Sequence, residues 1–214
     1  DANFFLLLHK LLTLTQMKLS KGWIILIVVV VIVVILVGWG TGIYNKIVAQ
    51  DENVGKAWAN VENVYQRRAD LIPNLVATVK GVADFEKSTL TDVIEARAKA
   101  TSVTIDPANL NAQSMQQFQA AQDGLSSALS RLMVVVERYP ELKATQNFLE
   151  LQAQLEGTEN RITVERMKFN ESVQTYNTYI RSFPPAVFAG MFGFEKKAPF
   201  EAQSGAEVAP KVEF

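Results

Sequence analysis

The chain has 214 residues, with 21 Lys and Arg against 22 Asp and Glu for a formal net charge of −1, no cysteine, and a single histidine, His9. These counts exclude thiolate nucleophiles, disulfides, cysteine-ligated zinc or iron–sulfur centres and, beyond residue 9, any histidine base or ligand. With Asp1, Lys10, Lys18 and Lys21 set aside, the net charge becomes −3 for residues 45–214, and no basic stripe stands out to bind nucleic acid.

Residues 1–16 precede Met17-Lys18-Leu19-Ser20-Lys21, which reads as a natural start with a basic flank over 17–21. The first sixteen residues are therefore read as an upstream extension, and the intact mass of protein from its native host checks this. Residues 22–43 follow without one charged side chain, a run of Ile, Val and Leu with Trp23 near one end and Trp39 and Tyr44 near the other. About 20 apolar residues at 1.5 Å each bridge a hydrocarbon core of about 30 Å, and indole and phenol rings suit its two interfaces. A cleaved signal peptide has a shorter apolar stretch and a small-residue cleavage site, and Gly38-Trp39-Gly40-Thr41-Gly42 offers none. The reading is a retained single-pass anchor. Lys10, Lys18 and Lys21 before it, against Lys46 and Lys56 after it, favour by a small margin a cytoplasmic N-terminus and an extracytoplasmic C-terminal domain.

Residues 44–194 are expected to form one all-α domain, a long antiparallel helical bundle. Val54, Trp58, Val61, Tyr65, Ile72, Leu75, Val79 and Val82, followed by Leu90, Val93 and Ala96, recur at helical intervals and predict a first helix over about 44–102. Pro73 cannot donate to the carbonyl of Ala69, so a kink is expected there, with Gly81 a second weak point. Ser102 to Asp106 breaks the pattern, and Asp106-Pro107 reads as an N-cap and first turn. Met115, Phe118, Leu125, Leu129, Leu132 and Val136 mark a second helix over 107–138, closed by Tyr139-Pro140. A third, over 141–182, carries Phe148, Leu155, Ile162, Phe169, Val173, Tyr176 and Ile180, and Pro184-Pro185 ends it. Links this short turn each helix back on the last, with coiled-coil-like seams.

Segment 183–194 is short and aromatic. Phe183, Phe188, Phe192 and Phe194, with Val187 and Met191, are expected to lid the open end of the bundle in preference to meeting a partner or membrane. Residues 195–214 mix Lys, Glu, Ala, Pro, Gly and Ser without period and are read as a disordered tail.

Charged residues interrupt the apolar seams. Extending the registers places Arg68 and Glu86 on the first helix, and Glu159 and Arg166 on the third. The favoured reading is structural: Arg68 with Arg161 or Arg166 meets Glu156, Glu159 or Glu86 across the bundle and fixes helix register. The alternative is a ligand-sensing bundle using Arg67, Arg68, Asp70 or Asn74 together with Glu156, Glu159 and Arg161. A di-metal centre requires Glu-x-x-His pairs, and Glu156-x-x-Glu159 has the spacing without the histidine. No metal, cofactor or catalytic residue is assigned. A carboxylate pair alone needs a cleft of substrate size, of which continuous seams give no sign.

The strings Tyr44-Asn45, Arg67-Arg68-Ala69-Asp70-Leu71-Ile72-Pro73-Asn74-Leu75, Val79-Lys80-Gly81, Tyr139-Pro140, Glu156-Gly157-Thr158-Glu159-Asn160-Arg161-Ile162, Phe169-Asn170, Tyr176-Asn177, Phe183-Pro184 and Gly193-Phe194 stand in order along the chain. In them the chain resembles the LemA family of bacterial membrane proteins, from the anchor to Phe200. Phe169 and Val82 stand where the family pattern has tyrosine. The resemblance implies an N-terminal anchor in the bacterial inner membrane, a helical bundle and no settled biochemical activity. It further implies neighbours among envelope and stress-related components. The resulting expectation is a non-catalytic envelope scaffold or interaction module that organises protein partners or the membrane. Long helices with exposed seams also favour a homo-oligomer.

Overall fold

The computed structural model describes residues 20–81 and 86–201; the proposed extension, His9, Val82 and residues 202–214 lie outside them. Among the described residues there are six α-helices and no strand: α1 (Lys21–Lys80), α2 (Lys87–Ser102), α3 (Ala112–Val136), α4 (Pro140–Lys143), α5 (Gln146–Arg181) and α6 (Pro185–Phe192). The fold is all-α. The chain divides into two units, Asp1–Asn45 and Lys46–Phe214.

In the first unit, the described part of the chain from Lys21 on belongs to α1, which is long and apolar enough to cross a membrane. From Trp23 to Val37 every side chain is exposed. β-Branched Val and Ile are mediocre helix formers in water, whereas hydrocarbon, which cannot hydrogen-bond the backbone, favours a helix for such a run.

The second unit is built on the remainder of α1. Val54, Trp58, Val61, Tyr65, Arg68, Ile72, Leu75 and Val79 are all buried, at alternating steps of four and three that keep one stripe facing inward. α1 runs through Pro73 without ending. The proline leaves the Ala69 carbonyl without its helical donor, and Arg97 of α2 supplies one, its Nε donating to that oxygen at 2.7 Å.

α1 ends at Lys80, beside Gly81, and α2 begins at Lys87. The single rod expected over 44–102 is thus two helices. Arg97 of α2 meets Ala69 of α1, so the two run antiparallel and Leu90, Val93 and Ala100 join Leu75 and Val79 in one core. A straight rod would leave these side chains without that shared core, and glycine is a poor helix residue, so the chain folds back.

The next link also refines the sequence reading. Asp106 caps a 3-10 turn at Pro107–Asn109, accepting from the Ala108 N–H at 2.9 Å. The second helix starts later than expected, at Ala112, because Asn111 and Ser114 form a reciprocal capping box. The third expected helix is likewise divided into the single turn α4 and the long α5, whose N-cap Thr145 accepts from the Phe148 N–H. Arg131 on α3 reaches Asp92 on α2, and Arg68 on α1 reaches Glu159 on α5. With Gln122 of α3 meeting Ala100 of α2, and Lys46 of α1 lying over the Tyr179 ring of α5, these pairs run α3 antiparallel to α2 and α5 antiparallel to α1, so that α1, α2, α3 and α5 go up, down, up, down.

α6 ends at Gly193, whose φ of 75° is a left-handed C-cap that favours glycine. The chain then departs from the sequence expectation of a disordered tail at 195. Residues 195–201 form an irregular strap across the bundle, with Lys197 and Phe200 buried. Composition registered the polar residues of this stretch, but the holding groups lie on other elements.

Candidate functional site

Three places on the second unit stand out chemically: a buried arginine, the strap groove and the outer face of α6.

Arg68 takes a seam position in α1 that a hydrophobe would otherwise fill, and it is 1% exposed. Its Nη1 donates to Glu159 Oε1 at 2.7 Å and Ser126 Oγ at 2.8 Å. Nη2 donates to Gln122 Oε1 at 2.6 Å, and Gln122 Nε2 donates onward to the Ala100 carbonyl at 3.2 Å. The network therefore ties α1 to α3, α5 and α2. Glu159 keeps nearly half its side chain in water, which limits the cost of holding the ion pair. The Arg68 guanidinium lies 5.0 Å from the Tyr65 ring centre. Burial pushes the Tyr65 phenol up from its usual value, with Arg166 and Arg68 pulling it partly back.

Of the charged residues anticipated for this network, the structure brings together Arg68 and Glu159. Glu86 lies at the start of α2, where it pairs with Arg138 in an exposed bridge at 3.0 Å; the break after Lys80 removes it from the α1 register. Glu156 is exposed and accepts from Gln152, Arg161 is exposed, and Arg166 turns to the strap. Arg67, Asp70 and Asn74 are on the outside of α1, Asp70 accepting from Gln66 at 2.9 Å. Sequence reasoning missed Gln122 and Ser126, which look unremarkable within a run of Gln, Ala and Ser. Beside the network, Leu129, Met133 and Leu155 floor an open groove of about 690 Å³ rimmed by Glu156 and Glu159.

The strap is held by groups the sequence reading did not assign. Asn177 brackets Lys197, its Nδ2 donating to the Lys197 carbonyl at 2.8 Å and its Oδ1 accepting from the Lys197 N–H at 3.0 Å. Asn170 repeats the pattern at Phe200, with bonds of 3.1 and 2.8 Å. The Ala198 N–H donates to the Leu110 carbonyl at 2.8 Å. Lys197 Nζ bridges Asp51 Oδ1 and the Pro107 carbonyl, both at 2.9 Å. Phe200 stacks on Trp58 at 6.0 Å and meets Phe169 edge-on at 5.5 Å, with Arg166 over its ring at 4.4 Å. The Tyr176 hydroxyl donates to the Glu195 carbonyl at 3.0 Å, and burial, with nearby Asp51 and Glu195, pushes its phenol up to about 12. The legible signal was the repeated aromatic–Asn pair, Phe169-Asn170 and Tyr176-Asn177, seven residues apart on one helix.

On α6, Pro185 and Ala189 face inward, whereas Val187, Met191 and Phe192 are more than half exposed, as is Phe183 just before the helix. Phe188 and Phe194 are partly buried. Part of the segment thus covers the bundle, and part of it presents an apolar surface.

Among the described residues, no group of three or more His, Cys, Asp or Glu is arranged to hold a metal ion. Its described residues place it in the class that joins one candidate membrane-spanning helix to an all-α bundle. The family model for the LemA family matches residues 57–214, and the chain belongs to that family. It is also similar to a magnetosome protein, MamQ, of Magnetospirillum gryphiswaldense, 26% identical over 191 residues covering 79% of this chain and 70% of that protein. Magnetosome protein MamQ 2 of Paramagnetospirillum magneticum is 27% identical over 175 residues, 74% of this chain and 64% of the relative. Protein LemA of Metamycoplasma hominis is 21% identical over 145 residues, 66% and 61%.

Proposed function

We propose that this chain is a non-catalytic, membrane-anchored interaction module, an envelope scaffold that gathers protein partners or organises the membrane beside it. The observation that carries the reading is the outer face of α6, where Phe183, Val187, Met191 and Phe192 keep more than half their surface exposed on a water-facing bundle. Apolar surface of this kind is uncommon unless something covers it. The names of the relatives, magnetosome protein and protein LemA, specify no reaction. The setting we infer is the bacterial inner membrane, with the N-terminus cytoplasmic and the bundle outside, and homo-oligomers are included among the assemblies.

The test is photo-crosslinking in intact membranes from a residue placed at Met191, with the same probe at exposed Glu156 as the control position. The Met191 probe is expected to capture discrete adducts, either envelope proteins or lipid, that are lost when Phe183 and Val187 are changed to Ser. Identical adducts from both positions, or none from Met191, would refute α6 as the working surface.

A further inference from the structure

The strap groove has the anatomy of a peptide-binding site. Asn170 and Asn177 are seven residues apart on α5, which at 1.5 Å per residue separates them by about 10.5 Å. The two strap residues they bracket, Lys197 and Phe200, are three apart, and an extended chain covers about 10 Å in three residues. The two spacings match. Each asparagine offers one donor and one acceptor to a main-chain N–H and C=O, so the pair reads an extended backbone without reading its side chains.

Side-chain selectivity comes from two further places. Asp51 and the Pro107 carbonyl accept an ammonium at the first position, and Trp58, Phe118, Phe169 and Arg166 enclose an aromatic ring at the second. Between them, position 198 must carry an N–H for the Leu110 carbonyl, while Pro199 is exposed and its missing donor costs nothing. None of these groove residues belongs to the strap itself; they come from α1, the turn before α3, α3 and α5.

We propose that this groove is a docking site for an extended partner segment with lysine three residues before an aromatic side chain, and that residues 197–200 occupy it in cis. A tethered occupant acts at high effective concentration, so a free segment of equal intrinsic affinity competes only when the strap is weakened or withdrawn. The inference uses a different surface from α6 and does not depend on the scaffold reading; either can fail alone.

The test uses the full chain in detergent and a fluorescent peptide of the sequence Glu195–Glu201. A chain carrying both Lys197→Ala and Phe200→Ala is expected to bind the peptide saturably, and the unaltered chain at least about tenfold more weakly. Alanine at either the lysine or the phenylalanine of the peptide should weaken binding about tenfold or more, and adding Asn170→Ala and Asn177→Ala to the opened chain should abolish it. A folded, opened chain that binds no peptide, or binds a scrambled one equally, overturns the proposal. If the opened chain does not fold, a protease site inserted after Gly193 in the otherwise unaltered chain allows the strap to be cut after folding. Labelled peptide should then replace the cut segment, and failure to exchange is equally fatal. Doubling of mass through reciprocal strap exchange, without peptide binding, would assign the groove to a second copy and refute the partner proposed.

Discussion

Arg68 shows how a single residue can be necessary without being favourable. It is held by Glu159, Ser126 and Gln122, and deleting one partner leaves a buried cation short of acceptors. Glu159→Ala is therefore expected to destabilise the bundle by about 2 kcal/mol in urea unfolding. Arg68→Met removes the demand together with the charge, and the expected result is unchanged or raised stability with a broadened distribution of oligomers or helix pairings. If Arg68→Met also costs several kcal/mol, the guanidinium is a net stabiliser and the register role fails. Glu62 illustrates the opposite electrostatic sign. Burial raises its carboxyl above the usual 4.5. The fold therefore favours the protonated form; that contribution is complete below about 4.5 and is lost as pH rises through the raised value. Glu62→Gln should raise the thermal midpoint at pH 7 and have little effect at pH 4. Because the carboxylate is only partly buried, the gain is small and shrinks further with salt.

Among the elements, the hairpin of α1 and α2 carries the clearest dependence of one helix on another. Pro73 orphans the Ala69 carbonyl and Arg97 repairs it, so Arg97→Ala should destabilise the unit by about 1–3 kcal/mol, the cost of a buried acceptor left unmade. The same substitution in a Pro73→Ala background should cost less, because the helical N–H is restored, and a double-mutant cycle measures the difference. This hairpin also marks where sequence pattern stops being informative. The apolar repeat through Leu75, Val79, Leu90 and Val93 reads the same for a straight rod and for two antiparallel helices, since both bury one stripe. The long apolar helix and the seams of α3 and α5 were legible because an unbroken apolar run and a helical repeat are both local signals. Gln122, Asn170, Asn177 and Asp51 were not, because their roles depend on backbone groups distant in sequence. Thr145 divided α4 from α5 through one side-chain cap within a stretch whose composition suits helix throughout.

For the molecule as a whole, the scaffold reading depends on which side of the membrane displays the second unit. The chain has no cysteine, so one introduced at exposed Met167 is a unique label. An impermeant maleimide added to intact spheroplasts is expected to label it; labelling only after lysis would put the bundle in the cytoplasm and redirect the search for partners there. Family membership gives the architecture, and the register of the seam gives Arg68, while the partners of Lys197 and Phe200 on the strap are visible only once the helices are assembled.

The placement of Arg68 in the buried stripe of α1 also limits how this bundle can move. Sliding α1 by one heptad, about 10.5 Å, would carry the guanidinium to the level where Val61 or Leu75 packs and away from every acceptor it has. Piston-like displacement of α1 against α3 and α5 by a whole heptad is thereby opposed at a single point, whereas a twist or a tilt that keeps these bonds is not.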